Sequence, residues 1–147
     1  MYTGLRHLHS GLRYVVLLLL IIAVITAISG LLGKKAYTEG NRKLNLFTLI
    51  FTHVQLLVGL GLYFISTKVD FSNIGANSGI RYWTAEHSTM MLIAVILITI
   101  GHSKSKKALT ASAKFKKIAV FYTIALIIIL ATILMAVSKG FITFWGF

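Results

Sequence analysis

Cysteine and proline are absent from this 147-residue chain, and acidic residues number three against fifteen lysines and arginines. Without cysteine there is no disulfide, no thiolate-ligated iron–sulfur cluster and no covalently attached c-type haem, which needs a C-x-x-C-H segment. Without proline, no helix carries a proline kink. Charge of either sign is scarce, at 12% of residues against about 25% in a typical soluble domain. The motifs of common hydrolytic and nucleotide chemistry are missing too: there is no Walker loop, no G-x-S-x-G, no H-E-x-x-H and no paired carboxylates.

What the chain has is apolar length. Hydrophobic residues make up 57% of it, and the mean hydropathy is +0.86. Four stretches carry no charged side chain: Tyr14–Gly33, Leu44–Thr67, His87–Ser103 and Ile118–Ser138. Each is close to the roughly 20 residues that cross a ~30 Å hydrocarbon core as a helix. A soluble fold would have to bury these 82 residues in a core too large for so short a chain. Barrel strands would be about 10 residues long and alternating, and none of these runs alternates. The expected fold is therefore an all-α integral membrane protein, a single four-transmembrane-helix bundle over residues 1–147. Its spans are expected near 9–32, 44–66, 83–103 and 118–138.

The net charge of +12 has a matching explanation. The first loop holds Lys34, Lys35, Arg42 and Lys43; the third holds Lys104, Lys106, Lys107, Lys114, Lys116 and Lys117. Odd-numbered loops share a side, so ten of the fifteen basic residues lie on one face. The positive-inside rule puts that face in the cytoplasm and both termini outside, and makes the charge a topology signal, not a nucleic-acid surface. Tyr63, Phe64, Tyr82, Trp83, Phe141, Phe144, Trp145 and Phe147 fall at the opposite boundary and read as an interfacial aromatic belt. Ala27-Ile28-Ser29 faintly resembles a signal-cleavage site, but the long apolar run and Lys34-Lys35 behind it favour a retained span. The Gly-, Asn- and Ser-rich segment Lys68–Arg81 is expected to cap the outer end.

Helices in a membrane pack through small residues. Steps of three and four give inward stripes: His9, Arg13, Val16, Leu20, Ala23, Ala27 and Gly30 in the first span; His87, Met91, Ala94, Ile98 and Gly101 in the third; Tyr122, Ala125, Ile129, Thr132 and Ala136 in the fourth. The second offers Thr52, Gln55, Gly59, Tyr63 and Ser66, with His53 at the edge. His9 and His87 thus share faces with the residues that pack. His9-Ser10 and His87-Ser88 each open a helix running inward, a faint internal repeat that would set both histidines at one depth.

Ionisable residues inside a span are functional candidates by default. Two imidazoles from neighbouring helices can hold a b-type haem, with Arg13 and Arg81 as counter-charges for its carboxylates. His87 lies about 6 Å inside the level of Trp83 and His53 about 20 Å inside that of Ser66, a gap of about 14 Å that is awkward for two ligands of one iron. His9 is level with His87 if the first helix ends at Gly30, and about 12 Å higher if it is measured from Lys34. His9 with His87 is the expected pair, and His53 the alternative ligand or part of a proton or quinone site. His9 and His87 can equally be interfacial residues bonded to water or headgroups, and His53 a residue bonded across the bundle. His102, at the cytoplasmic end, is expected to be solvated, and Glu86 to pair with Arg81.

The segments GLRHLHSGLRYVVLLLL, FTHVQLLVGLGLYFIS and RYWTAEHSTMMLIAVILITIG carry a resemblance covering nearly the whole chain. They resemble a family of small four-helix bacterial membrane proteins labelled cytochrome b-like. More distantly, TAEHSTMM and HVQLLVGLGLYF are similar to helices of haem A synthase, but Glu86 is adjacent to His87 and Ser88 stands in place of that family's arginine. Cytochrome b561-type cores need a histidine in the fourth span, which is absent, so one haem is the expectation. The resemblance implies a multi-pass protein of the bacterial inner membrane, exchanging electrons with the quinone pool or a respiratory partner. The alternative is a non-enzymatic helical subunit of a larger respiratory, transport or secretion complex, with structural histidines. The expected surroundings are the lipid bilayer and a protein partner or further copies of the chain.

Overall fold

The computed structural model describes residues 1–143. Phe144, Trp145 and Phe147 of the expected aromatic belt lie outside the described residues. Four helices long and apolar enough to span a membrane run up and down: α1 (Tyr2–Leu32), α2 (Glu39–Ile65), α3 (Ser78–Lys107) and α4 (Ala111–Ser138). At 1.5 Å per residue they are roughly 40 to 46 Å long. There is no strand among the described residues. The start of α1, the end of α4 and the loop after α2 lie at one end of the bundle, called the terminal end below. The two basic loops lie at the other.

Side-chain oxygens start the helices after α1. The Thr38 hydroxyl accepts from the Asn41 N–H while the Asn41 amide oxygen accepts from the Thr38 N–H, a reciprocal cap at an N-terminus. Asn77 and Thr110 accept from Ile80 N–H and Ala113 N–H at the starts of α3 and α4.

The inward stripes of α1, α3 and α4 together hold most of these helices' buried residues, whereas of the α2 stripe only Thr52 is buried, together with Asn45 and Thr48 nearer the basic loops. Val16, Leu20, Ala23, Ala27 and Gly30 of α1 are buried, as are Ala94, Ile98 and Gly101 of α3 and Tyr122, Ala125, Ile129, Thr132 and Ala136 of α4. Small residues set the spacing. A Cβ on Gly101 would stand 2.5 Å from the Phe121 Cβ, and one on Gly30 2.5 Å from the Phe115 ring. Outward positions such as Leu18, Ile25, Leu57 and Leu134 are apolar and exposed, the inverse of a soluble bundle.

Buried hydroxyls in the helices are satisfied by the preceding turn. Thr48, Thr52 and Thr132 donate to the carbonyls of Leu44, Thr48 and Ile128. Other polar groups tie helices together. Near the basic loops the Tyr122 hydroxyl donates to the Asn45 carbonyl, and the Asn45 amide to the Tyr37 hydroxyl. The Lys114 ammonium donates to the carbonyls of Ser105 and Lys106, closing the C-terminus of α3.

α1 does not end at Gly30. It continues to Leu32, Gly33 N–H bonds back to Ser29, and Lys34 turns the chain with a φ of 49°. α3 departs from regularity at Tyr82–Glu86, which forms a π turn without any proline.

Candidate functional site

The site lies at the terminal end, between α1, α2 and α3. His9 sits two turns into α1, and His87 sits directly after the π turn of α3. Their ring centroids are 6.4 Å apart with an interplanar angle of 73°. α1 and α3 therefore place the histidines at one depth even though α1 runs past Gly30. Counting from the loops left two positions for His9 open, and the contact of the two rings, not the end of α1, decides between them.

α2 makes room for the pair. A Cβ on Gly59 would stand 3.0 Å from His9 Cε1, so any larger residue would require the imidazole to shift by a few tenths of an ångström or more. Four residues earlier, the Gln55 amide donates to the His9 backbone carbonyl at 2.9 Å. His9 Nδ1 and Gln55 Oε1 are buried and have no hydrogen-bond partner among the described residues. Buried polar atoms left in this state are uncommon, and each marks a site where something else bonds or strain is held.

Beside the histidines is a cavity of about 290 Å³ lined chiefly by apolar residues, with His9, Arg13, Gln55 and His87 among its polar walls. Leu60 and Leu92 line it and are also exposed on the outside, so it opens laterally between α2 and α3. A second cavity of about 140 Å³ shares His9, Arg13, Gly59, Tyr63 and His87 and adds Arg6, Lys68, Tyr82 and Trp83. Among the described residues, no acidic side chain lines either one.

Arg81 behaves differently from Arg13. It is exposed, its Nε donates to Glu86 Oε1 at 2.8 Å, and it lines neither cavity. Arg6 and Lys68 take the place at the mouth that the sequence pattern assigns to it. His53 is also elsewhere: its Nε2 is 3.0 Å from the Thr99 hydroxyl, which links α2 to the middle of α3. His102 is partly buried and its Nδ1 has no described partner, so it is less solvated than its place beside Lys104 implies.

Tyr82 is the largest departure from the sequence reading. Expected in the interfacial belt, it is 1% exposed and packs against Trp83, His87 and Phe141. Its hydroxyl reaches the Thr132 carbonyl of α4 at 3.0 Å and His87 Nδ1 at 3.4 Å. The π turn that places it there has no proline or glycine to announce it. Carbonyls loosened by that turn find other donors: Thr84 O accepts from the Tyr63 hydroxyl at 2.7 Å and from the Ser88 hydroxyl at 3.0 Å.

Taken together, the geometry offers two facing imidazoles, an apolar chamber and a cationic mouth without counter-ions among the described residues. Chemically, such a site suits a largely apolar ligand that carries anionic groups at the cationic end. Among protein families, curated proteins and solved structures, none matches this chain.

Proposed function

We propose that this chain is a small membrane b-type cytochrome. One haem b is held between α1 and α3 by His9 and His87, and electrons pass to or from the quinone pool or a respiratory partner. The spacing of the two imidazoles carries the reading. A metal–imidazole bond is about 2 Å, and the ring centre lies about 1 Å behind the ligating nitrogen, so two imidazoles that would hold one metal ion between them have centroids roughly 6 Å apart. The observed 6.4 Å meets that requirement. The unpartnered His9 Nδ1 and the notch at Gly59 support it as well.

The iron of such a cofactor supplies one-electron redox chemistry. The chain's own groups do the rest. Val16, Leu17, Leu56, Met91 and Ile129 keep water from the chamber. Arg13, with Arg6 and Lys68 at the mouth, would pair with the two carboxylates through charge-assisted hydrogen bonds. Arg81, already engaged by Glu86, is not needed for this.

The protein belongs, in this reading, in a bacterial cytoplasmic membrane with both termini on the periplasmic side. The support is the ten basic residues gathered in the first and third loops. The haem site would then lie near the periplasmic face.

The test is an optical spectrum of the purified, dithionite-reduced protein. Haem b bands are expected, lost in His9→Ala and in His87→Ala and kept in His53→Ala. A haem-free protein from cells well supplied with haem overturns the reading. So do bands that survive loss of both histidines. The first outcome leaves a non-enzymatic membrane subunit with structural histidines; the second leaves a haem protein whose ligands are other residues.

A further inference from the structure

We infer that Tyr82 is a positioning residue that fixes the tautomer of His87 and leaves its Nε2 free to bind a metal. This deepens the haem reading above and rests on it for its purpose, though not for its geometry.

Each α-helical residue turns about 100°, so residues five apart point about 140° away from each other. Tyr82 and His87 are nevertheless neighbours, with ring centroids 5.7 Å apart. The π turn is the cause: His87 N–H bonds to the Tyr82 carbonyl, five residues back, and brings both side chains to one face.

The hydroxyl of Tyr82 has one proton to give. Thr132 O on α4 is a pure acceptor 3.0 Å away, and takes it. At His87 Nδ1, 3.4 Å away, the hydroxyl can then only accept. A neutral imidazole has a single N–H, so that proton sits on Nδ1 and Nε2 keeps its lone pair. A partner bonded to the ring nitrogen away from the metal orients a metal-binding histidine in this way. Because Thr132 belongs to α4, the tautomer at α3 is set by the packing of a helix that supplies no ligand.

The test uses the full chain labelled with ¹⁵N-histidine, free of haem, in nanodiscs. Two-bond ¹H–¹⁵N spectra, with His87 assigned from its loss in His87→Ala, are expected to show a protonated Nδ1 and a bare Nε2. In Tyr82→Phe the acceptor is gone and the Nε2–H form is expected to become at least as populated. Trp83→Phe is the control, since Trp83 packs 5.4 Å from His87 without bonding to it, and should leave the tautomer unchanged. When loaded, Tyr82→Phe is expected to retain haem about ten-fold less tightly.

A bare Nδ1 in the wild-type protein overturns the inference whether or not the variant folds. So does an unchanged tautomer in Tyr82→Phe. The two readings also fail separately. A chain that binds no haem but holds His87 as Nδ1–H loses only the cytochrome assignment; one with haem bands and a bare Nδ1 loses only the role of Tyr82.

Discussion

Gly59 and Asp70 show how single residues shape the terminal end. Gly59 matters for what it lacks. Its missing Cβ leaves the space that the His9 ring fills, 3.0 Å from where that carbon would be. Gly59→Val should displace the imidazole and abolish the haem bands of the reduced spectrum. Gly61→Ala, where the new carbon would meet only the flexible tip of Leu5 at 3.3 Å, should leave them nearly intact.

Asp70 acts through charge. Its carboxylate accepts from the Asn73 side chain at 2.7 Å and from the Ser72 and Asn73 N–H groups. The Asn73 side-chain bond, followed by the backbone bonds, holds it below the usual carboxylate range. In the opened loop this group titrates normally, so the loop-closing contribution is complete above the ordinary carboxylate range. It declines as the pH falls through that range and is gone below the depressed value of Asp70. The protection of Ser72 N–H, its exchange rate corrected for the intrinsic rate at each pH, should follow that profile, and Asp70→Asn should remove the pH dependence of that protection.

At the scale of the helices, small residues set how closely α3 and α4 approach, and hydroxyls tie them to their neighbours. Gly101→Ala would push a methyl group into the Phe121 Cβ, which is too near its own backbone to swing away. Overpacking of this kind costs about 1–3 kcal/mol. The variant should unfold at a correspondingly lower denaturant concentration, measured by helical signal in mixed micelles, while Gly11→Ala, with open space around it, should not. The stripe containing Gly101 could be read from its three- and four-residue spacing. The π turn at Tyr82–Glu86 could not. Its signal lies in where Tyr63, Thr84, Ser88 and Thr132 meet across three helices, and residue spacing along one helix does not encode that.

For the whole molecule, the proposed orientation makes a prediction independent of any cofactor. The single-cysteine variants Lys35→Cys and Lys107→Cys, both at exposed positions of the basic end, should react with a membrane-impermeant maleimide only after cells are opened. Gly75→Cys, in the loop after α2 with open space around it, should react in intact cells. The opposite pattern would invert the topology. The cysteine-free background makes each label unambiguous.

The amino-acid sequence determined the class of this protein by itself. Four charge-free runs of span length set an all-helical fold with four helices long and apolar enough to cross a membrane, and the small-residue stripes of α1, α3 and α4 already state which face of each is covered. Even the pairing of His9 with His87 was readable as a shared inward face. What only the tertiary structure decided is which polar groups meet. The packing of the helices brings the two histidine rings within 6.4 Å, Arg81 turns to Glu86 while Arg6 and Lys68 line the second cavity, and Tyr82 leaves the expected interface for the core. The physical reason is range. Hydrophobicity and helical period act over neighbouring residues on one helix, whereas a hydrogen bond or a ring contact exists only when the packing of separate helices sets their relative height and rotation.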